Sequence, residues 1–348
     1  VYSINLQSFM VWKLILNKVL LKCEFIARGP HTYITKELTM VKNYTCFFCL
    51  IALFTVRGSY SQEIRIFNKE DFDLRGDVKS CLVITDYGKE EYDFDEMGRL
   101  TKSVTRYNDY DYDITYYKYG QSQLLEKRLE NYRENAFDSA TSMAHFYEVD
   151  TTNTKIITEK IVSYEKEFLD KNQYFYDTED RVTRIVRTNN DGTDETIIEY
   201  SVYKDEETKT YILNGLQQKS IRTSTRKAKS GSNEKVVLTK KFLNGNPLEA
   251  TEEIVDASNK LVSTTYFNYD PTTKQFAKTR VVSYTYDETG ALSKTVERKD
   301  DVESAKEYIY QYDNGEQGNW VKQIITPGNA YTTRRIKYYD FPEETNEE

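Results

Sequence analysis

Apolar and polar positions alternate along much of this chain, and short acidic, glycine-containing intervals break the alternation. In "YTYDETGALSKTV", residues 284–296, Tyr284 and Tyr286 lie two apart and so share one face of a strand. Asp287 and Gly290 follow, where a hairpin loop reverses the chain and needs a positive φ. Leu292, Lys294 and Val296 resume at period two, which predicts a second strand with Leu292 and Val296 on the tyrosine face. The register recurs at Tyr92, Phe94, Asp95, Gly98, Leu100, Lys102 and Val104. It recurs again at Tyr117, Tyr119, Leu125, Lys127 and Leu129, and at Tyr174, Tyr176, Asp177, Val182, Arg184 and Val186. Near the end, Tyr310, Tyr312 and Asp313 lead to Trp320, Lys322 and Ile324 across a longer loop.

The intervals between these units are close to multiples of about 25–28 residues, the size of a hairpin-based repeat. Weaker units fit the gaps at 200–213, 241–254 (with an Asn244–Gly245 turn) and 266–282. The predicted fold is all-β: about ten successive antiparallel hairpins forming an extended, curled sheet or partial β shell. The basic stretch 217–235, rich in Ser, Gly and Lys, reads as a mobile loop between two hairpins.

Composition supports strands. Thirty tyrosines stand beside 5 prolines and 14 glycines, and tyrosine packs one ring face while its hydroxyl reaches water. The start of the chain differs. Residues 1–39 show no pattern continuous with the body and read as upstream, non-native or dispensable sequence. From Met40 a basic Lys42, the apolar run 44–56 and small residues at Ser59 and Ser61 read as a signal peptide, 40–61. Thirteen mainly apolar residues suit an export leader better than a bilayer span. Of 48 basic and 56 acidic residues, seven and two lie before Gln62, so the body carries 41 against 54, a formal net charge of −13. Such a body repels nucleic acid. Cys81 is the one cysteine of 62–348, so export would involve no intrachain disulfide there.

"YDFDEMGRL", "YFYDTEDRV" and "YTYDETGAL" resemble the units of the bacterial Rhs/YD-repeat family. "FDLRGDVKS" (71–79) and the stretch 312–339 resemble the boundaries of its small secreted members, so the resemblance spans about 66–340. It implies a single secreted or surface-exposed β-rich repeat domain over 62–348, ending in a short acidic tail, without toxin or autoprocessing parts. Periplasmic, outer-surface and extracellular placement all fit export.

No residue pattern demands chemistry. His145 is the one histidine after the leader, and no nucleophile motif or phosphate loop accompanies it. The carboxylates concentrate in turns, where they cap chain reversals. A carboxylate pair hydrolysing an extracellular polymer is the alternative reading, and kinship to a toxin-delivery shell a further one. Asp109, Asp111 and Asp113 share one face in "YNDYDYDITYYKY", a candidate Ca²⁺ site without the glycine and distal glutamate of an EF-hand loop. The aromatic ladder Tyr92, Tyr117, Tyr119, Tyr174, Tyr176, Tyr284, Tyr286, Tyr310, Tyr312 and Trp320 either packs the sheet or offers a surface to protein or glycan. The expectation is a non-enzymatic structural or binding protein with no cofactor, contacting protein or glycan at the cell exterior.

Overall fold

A computed structural model describes residues 65–121, 123–228, 231–313 and 318–339. The chain divides into two units, 1–63 and 64–348; the expected leader and upstream sequence lie outside the described residues. Twenty strands follow one another: β1 Val78–Thr85, β2 Gly88–Phe94, β3 Leu100–Arg106, β4 Tyr112–Tyr119, β5 Leu124–Arg133, β6 Ala136–Asp150 and β7 Ile156–Ser163. Then come β8 Phe168–Tyr176, β9 Val182–Asn189, β10 Gly192–Tyr203, β11 Glu206–Leu213, β12 Leu216–Lys227, β13 Asn233–Leu243 and β14 Asn246–Val255. The last six are β15 Leu261–Asp270, β16 Gln275–Tyr286, β17 Leu292–Lys299, β18 Val302–Tyr312, β19 Trp320–Thr326 and β20 Ala330–Tyr338.

Each strand pairs antiparallel with the next, and β20 returns to pair with β1, Cys81 standing opposite Ile336 and Leu82 opposite Arg335. The ten hairpins therefore close into a 20-stranded barrel. This corrects the extended, curled sheet or partial shell expected from sequence. Closure leaves the ring of strands no unpaired edge to template association with other chains. The basic stretch 217–235 also departs from expectation: it forms most of β12, a turn, and the start of β13. Its Ile221, Thr223 and Thr225 alternate at strand period, and pairing on both sides outweighs its loop-like composition.

The two rims differ. At one, most connections are loops of four or five residues, and four of these begin with the motif aspartate; at the other, several are two-residue turns. Glu134–Asn135, Asn214–Gly215 and Asn244–Gly245 have both central residues at positive φ, the geometry that matches strand twist. At the loop rim each repeat unit carries a β-bulge. Tyr286 pairs with Leu292 but Thr285 with Lys294, so Ser293 bulges. Thr101 and Thr183 bulge likewise. One extra residue reverses the alternation, so Leu292 stays on the tyrosine face while Lys294 and Val296 turn to the other. The single-faced second strand expected from sequence is corrected accordingly. The bulge hydroxyls bond across the hairpin, Thr101 Oγ1 to the Asp93 carbonyl at 3.0 Å and Ser293 Oγ to that of Thr285 at 3.1 Å.

The tyrosine face is the concave one. The short segment 65–77, with one 3₁₀ turn at Lys69–Phe72, reaches six neighbouring strands at the loop rim. Phe67 meets Tyr117, and Phe72 packs on Tyr92 and Phe94. Trp320 Nε1 donates to Asp73 at 3.0 Å and Arg334 to the Phe72 carbonyl at 2.9 Å. Only the inside of a curved sheet brings β4 and β19 round one such segment. Leu74, Val78, Cys81, Phe94 and Leu100 form the buried cluster beneath it. A second cluster, Ile157, Tyr174, Tyr176, Val182, Ile185, Ile198, Tyr211 and Ile221, runs along the same wall over β7–β12. A closed ring of 20 strands is wider than the eight-stranded barrels whose wall side chains fill the interior; the space that its concave face encloses is called the lumen.

Candidate binding surface on the barrel lumen

At the loop rim Asp95, Asp177, Asp256 and Asp287 each accept the backbone N–H four residues on, at 2.8–2.9 Å. Gly98, Asp180, Asn259 and Gly290 supply the positive φ that closes these loops. Hydrogen bonding from Thr289 outweighs burial and holds the Asp287 carboxyl below the usual carboxylate range. These acids are turn caps.

The cation that ends several of these loops covers a tyrosine of a following strand. Arg99 lies 4.8 Å over Tyr119, Lys155 4.4 Å over Tyr176, Arg181 4.7 Å over Tyr200 and Lys260 5.1 Å over Tyr286. The tyrosine hydroxyls then bond back: Tyr119 to the Leu100 carbonyl at 2.6 Å, Tyr200 to that of Val182 and Tyr286 to that of Leu261, both at 3.0 Å. These rings clamp neighbouring hairpins together. The rest of the ladder is held too. Tyr92 bonds Glu90 under Phe72, and Tyr117 meets Phe67 edge-on. Tyr284 lies 3.4 Å from the Thr264 hydroxyl and Tyr312 3.3 Å from that of Thr289, while Tyr310 accepts from Gln323 at 2.9 Å. All ten ladder residues face the lumen, most in its loop-rim half. Tyr174, Tyr176, Tyr284 and Trp320 are buried.

The three aspartates of the candidate Ca²⁺ site separate into protein contacts at the turn rim. Asp111 accepts from Asn108 Nδ2 and from the Glu134 N–H, both at 2.9 Å, and these bonds hold its carboxyl below the ordinary range. Asp113 accepts from Arg133 and from Tyr107, both at 2.8 Å, and Asp109 is exposed. No group of three metal-ligating side chains occurs among the described residues.

What the sequence reading missed lies deeper on the concave wall. Glu159 of β7 accepts four hydrogen bonds: from His145 Nδ1 at 2.8 Å, Tyr147 at 2.9 Å, Asn172 at 2.9 Å and Tyr174 at 3.0 Å. Burial pushes its carboxyl up, but these donors and the His145 charge outweigh burial and hold it at about 2. His145 is thereby committed to Glu159. Further round the wall, Lys209, Lys219 and Lys241 occupy β11, β12 and β13. Lys219 stands directly opposite both Tyr211 and Lys241. Its ammonium lies 4.2 Å over the Tyr211 ring, and Lys209 is 5.3 Å from the same ring. Lys241 pairs with Glu249 at 2.7 Å. Burial alone pushes Glu253 of β14 up to about 7, a pKa suited to a general acid, but no neighbouring carboxylate contributes to that shift. A carboxylate pair is therefore not assembled there. The signal available in sequence was a lysine or glutamate at period two with a tyrosine or valine, as in Lys209 and Tyr211.

No family model matches this chain, and neither does any curated protein. Two solved structures share part of the strand arrangement. A porin-like protein from Bacteroides uniformis ATCC 8492 has 10 % identity and a TM-score of 0.30, covering 75 % of this chain and 96 % of its own. A porin-like protein from Bacteroides vulgatus ATCC 8482 has 10 % identity and a TM-score of 0.23, covering 76 % and 99 %. At these values the likeness carries no argument about function. The resemblance to the Rhs/YD-repeat family is corrected: no family model supports it, and the strands close into a barrel instead of an extended repeat sheet. The tyrosine–aspartate period is real as local structure, a bulged hairpin that several kinds of β-sheet can use.

Proposed function

We propose that this is an exported, non-enzymatic β-barrel of the cell exterior, whose wall stands in water and whose lumen receives a ligand. The observation that carries this reading is the convex face. Asp93–Lys102, Glu91–Arg106, Glu148–Lys160, Arg184–Glu195, Lys294–Glu307 and Arg298–Glu303 pair on it at 2.6–3.8 Å, at four places round the ring. A lipid-facing barrel needs an apolar band about 25 Å tall, and a midplane Lys or Arg costs about 2–4 kcal/mol. Several such charges are incompatible with a hydrocarbon surround. The lumen, in contrast, carries tyrosine rings and fixed polar groups, the surface chemistry of recognition sites. The leader expected at 40–61 supports export.

The test is expression with the native leader, followed by cell fractionation and N-terminal sequencing. The mature chain is expected to begin at Gln62, to label on whole cells, and to stay folded in detergent-free buffer after a high-salt wash. A barrel released from membranes only by detergent would overturn the reading.

A further inference from the structure

We infer that the seam between β1 and β20 is the line along which this barrel opens, and that the two ends of the domain form a clasp that holds it shut. Every other neighbouring pair of strands is joined by a turn or a short loop, so a parted pair stays tethered and re-forms at little entropic cost. β1 and β20 have no such tether. Val78 stands opposite Tyr338 and Ile84 opposite Thr333, and only the rest of the ring keeps them adjacent. On strand pairing alone this seam is the boundary where local opening costs least.

Segment 65–77, which leads into β1, supplies the first half of the clasp by crossing the seam toward β19 and β20. Asn319, just before β19, is 2 % exposed, and its side-chain amide grips the Arg75 backbone in both directions. The Arg75 N–H donates to Oδ1 at 2.9 Å, and Nδ2 donates to the Arg75 carbonyl at 2.8 Å. Nδ2 also donates to the Tyr338 hydroxyl at the end of β20, at 2.8 Å. On the other side the same segment is fixed to the β2–β3 hairpin: the Lys69 N–H donates to the Gly98 carbonyl at 2.9 Å and the Leu100 N–H to that of Phe67 at 2.8 Å. The chain leaving β20 crosses in the opposite sense. The Tyr339 N–H donates to the Asp77 carbonyl at 2.8 Å, and its hydroxyl reaches past β1 to the Phe94 carbonyl at 2.6 Å. Released, the seam would present β1 and β20 as two unpaired edges, a template for pairing with a second copy of this chain. The clasp thus selects the closed monomer over edge-to-edge association.

The experiment is hydrogen–deuterium exchange, resolved by strand, with light scattering on the same samples. N319D keeps the shape of the side chain and its acceptor but removes both donors. In this variant the β1 and β20 amides are expected to exchange about tenfold faster, while those of β10 and β11, on the far side of the ring, keep the parent's rates. The variant is also expected to associate as its concentration rises, and the parent to stay monomeric. Unchanged exchange at the seam overturns the proposal. Exchange raised alike in all strands overturns it too, because Asn319 would then stabilise the fold without holding any one boundary. Selective exchange in a variant that stays monomeric supports the clasp and overturns the edge-pairing step. If N319D fails to fold, Y339F, which removes only the hydroxyl bond to Phe94, takes its place, with about threefold faster exchange confined to β1 and β20 as the expected result.

Discussion

Two sectors of one lumen wall treat buried charge in opposite ways. Over β6–β8, Glu159 is surrounded by four donors within 3.0 Å, and its carboxyl is held at about 2. Over β11–β14, Lys219 faces another lysine, and Glu253 is pushed up to about 7 by burial alone. The first sector is satisfied from within the chain. In the second, the described residues place no carboxylate within ion-pair distance of Lys219 and no set of donors around Glu253. The same backbone architecture underlies both, so the difference lies in which side chains the register sets opposite one another. A closed hydrogen-bonding set stabilises a fold, whereas like charges directly opposite one another cost stability.

Breaking the satisfied sector has the largest expected effect. E159A leaves four donors, two of them buried, without their acceptor and is expected to cost about 3–5 kcal/mol in urea denaturation, as when one partner of a buried network is removed. A loss under 1 kcal/mol would mean that the hub is ornamental. Acid provides the same test without mutation. Glu159 titrates lower folded than unfolded, so its stabilisation is full above the ordinary glutamate value of 4.5 and is lost as pH falls from there toward 2. The stability gap between the parent and E159Q should therefore narrow by about 3 kcal/mol over that range. A gap that does not change with pH would contradict it.

Glu253 has the opposite sign. Its folded pKa is raised, so the folded chain holds a proton that the unfolded chain releases, and stability falls as pH rises from 4.5 to about 7. E253Q is expected to flatten that decline and gain about 1 kcal/mol at pH 8, discounted because water partly screens the carboxyl. Thermal melts at pH 5 and pH 8 decide it; equal slopes for parent and variant would count against burial as the cause. The smallest effect is expected from K219M, between no change and a gain of about 1 kcal/mol, because it removes a buried charge set opposite another lysine. A loss of about 3 kcal/mol or more by denaturant titration would show that Lys219 is paired within the chain, and would erase the contrast between the sectors.

Local features of this fold were legible because their causes are local. Tyr-x-Tyr-Asp (Tyr-x-Phe-Asp at 92–95) followed by Gly290, Gly98 or Asp180 specifies strand, cap and left-handed residue within a dozen positions, and the hairpins appear where that spacing puts them. The bulge was legible as well, in Thr101, Thr183 and Ser293 directly after Leu100, Val182 and Leu292. Strict period two hid it. The candidate site was much less visible. Tyr119, Tyr176 and Tyr286 could be seen as a ladder, but their role as clamps depends on Arg99, Lys155 and Lys260 reaching across to another hairpin. Lys209, Lys219 and Lys241 belong to three strands and become a cluster only through pairing.

What the sequence by itself determined is the hairpin, its turn chemistry and the all-β class, since backbone preference and side-chain alternation act over a few residues. Only the tertiary structure decided that ten hairpins close, that the tyrosine face is the inner one, and which charges meet. Closure rests on Cys81 standing opposite Ile336, far apart in sequence. The summed twist and curvature of all twenty strands bring those two together, and no single repeat encodes that sum.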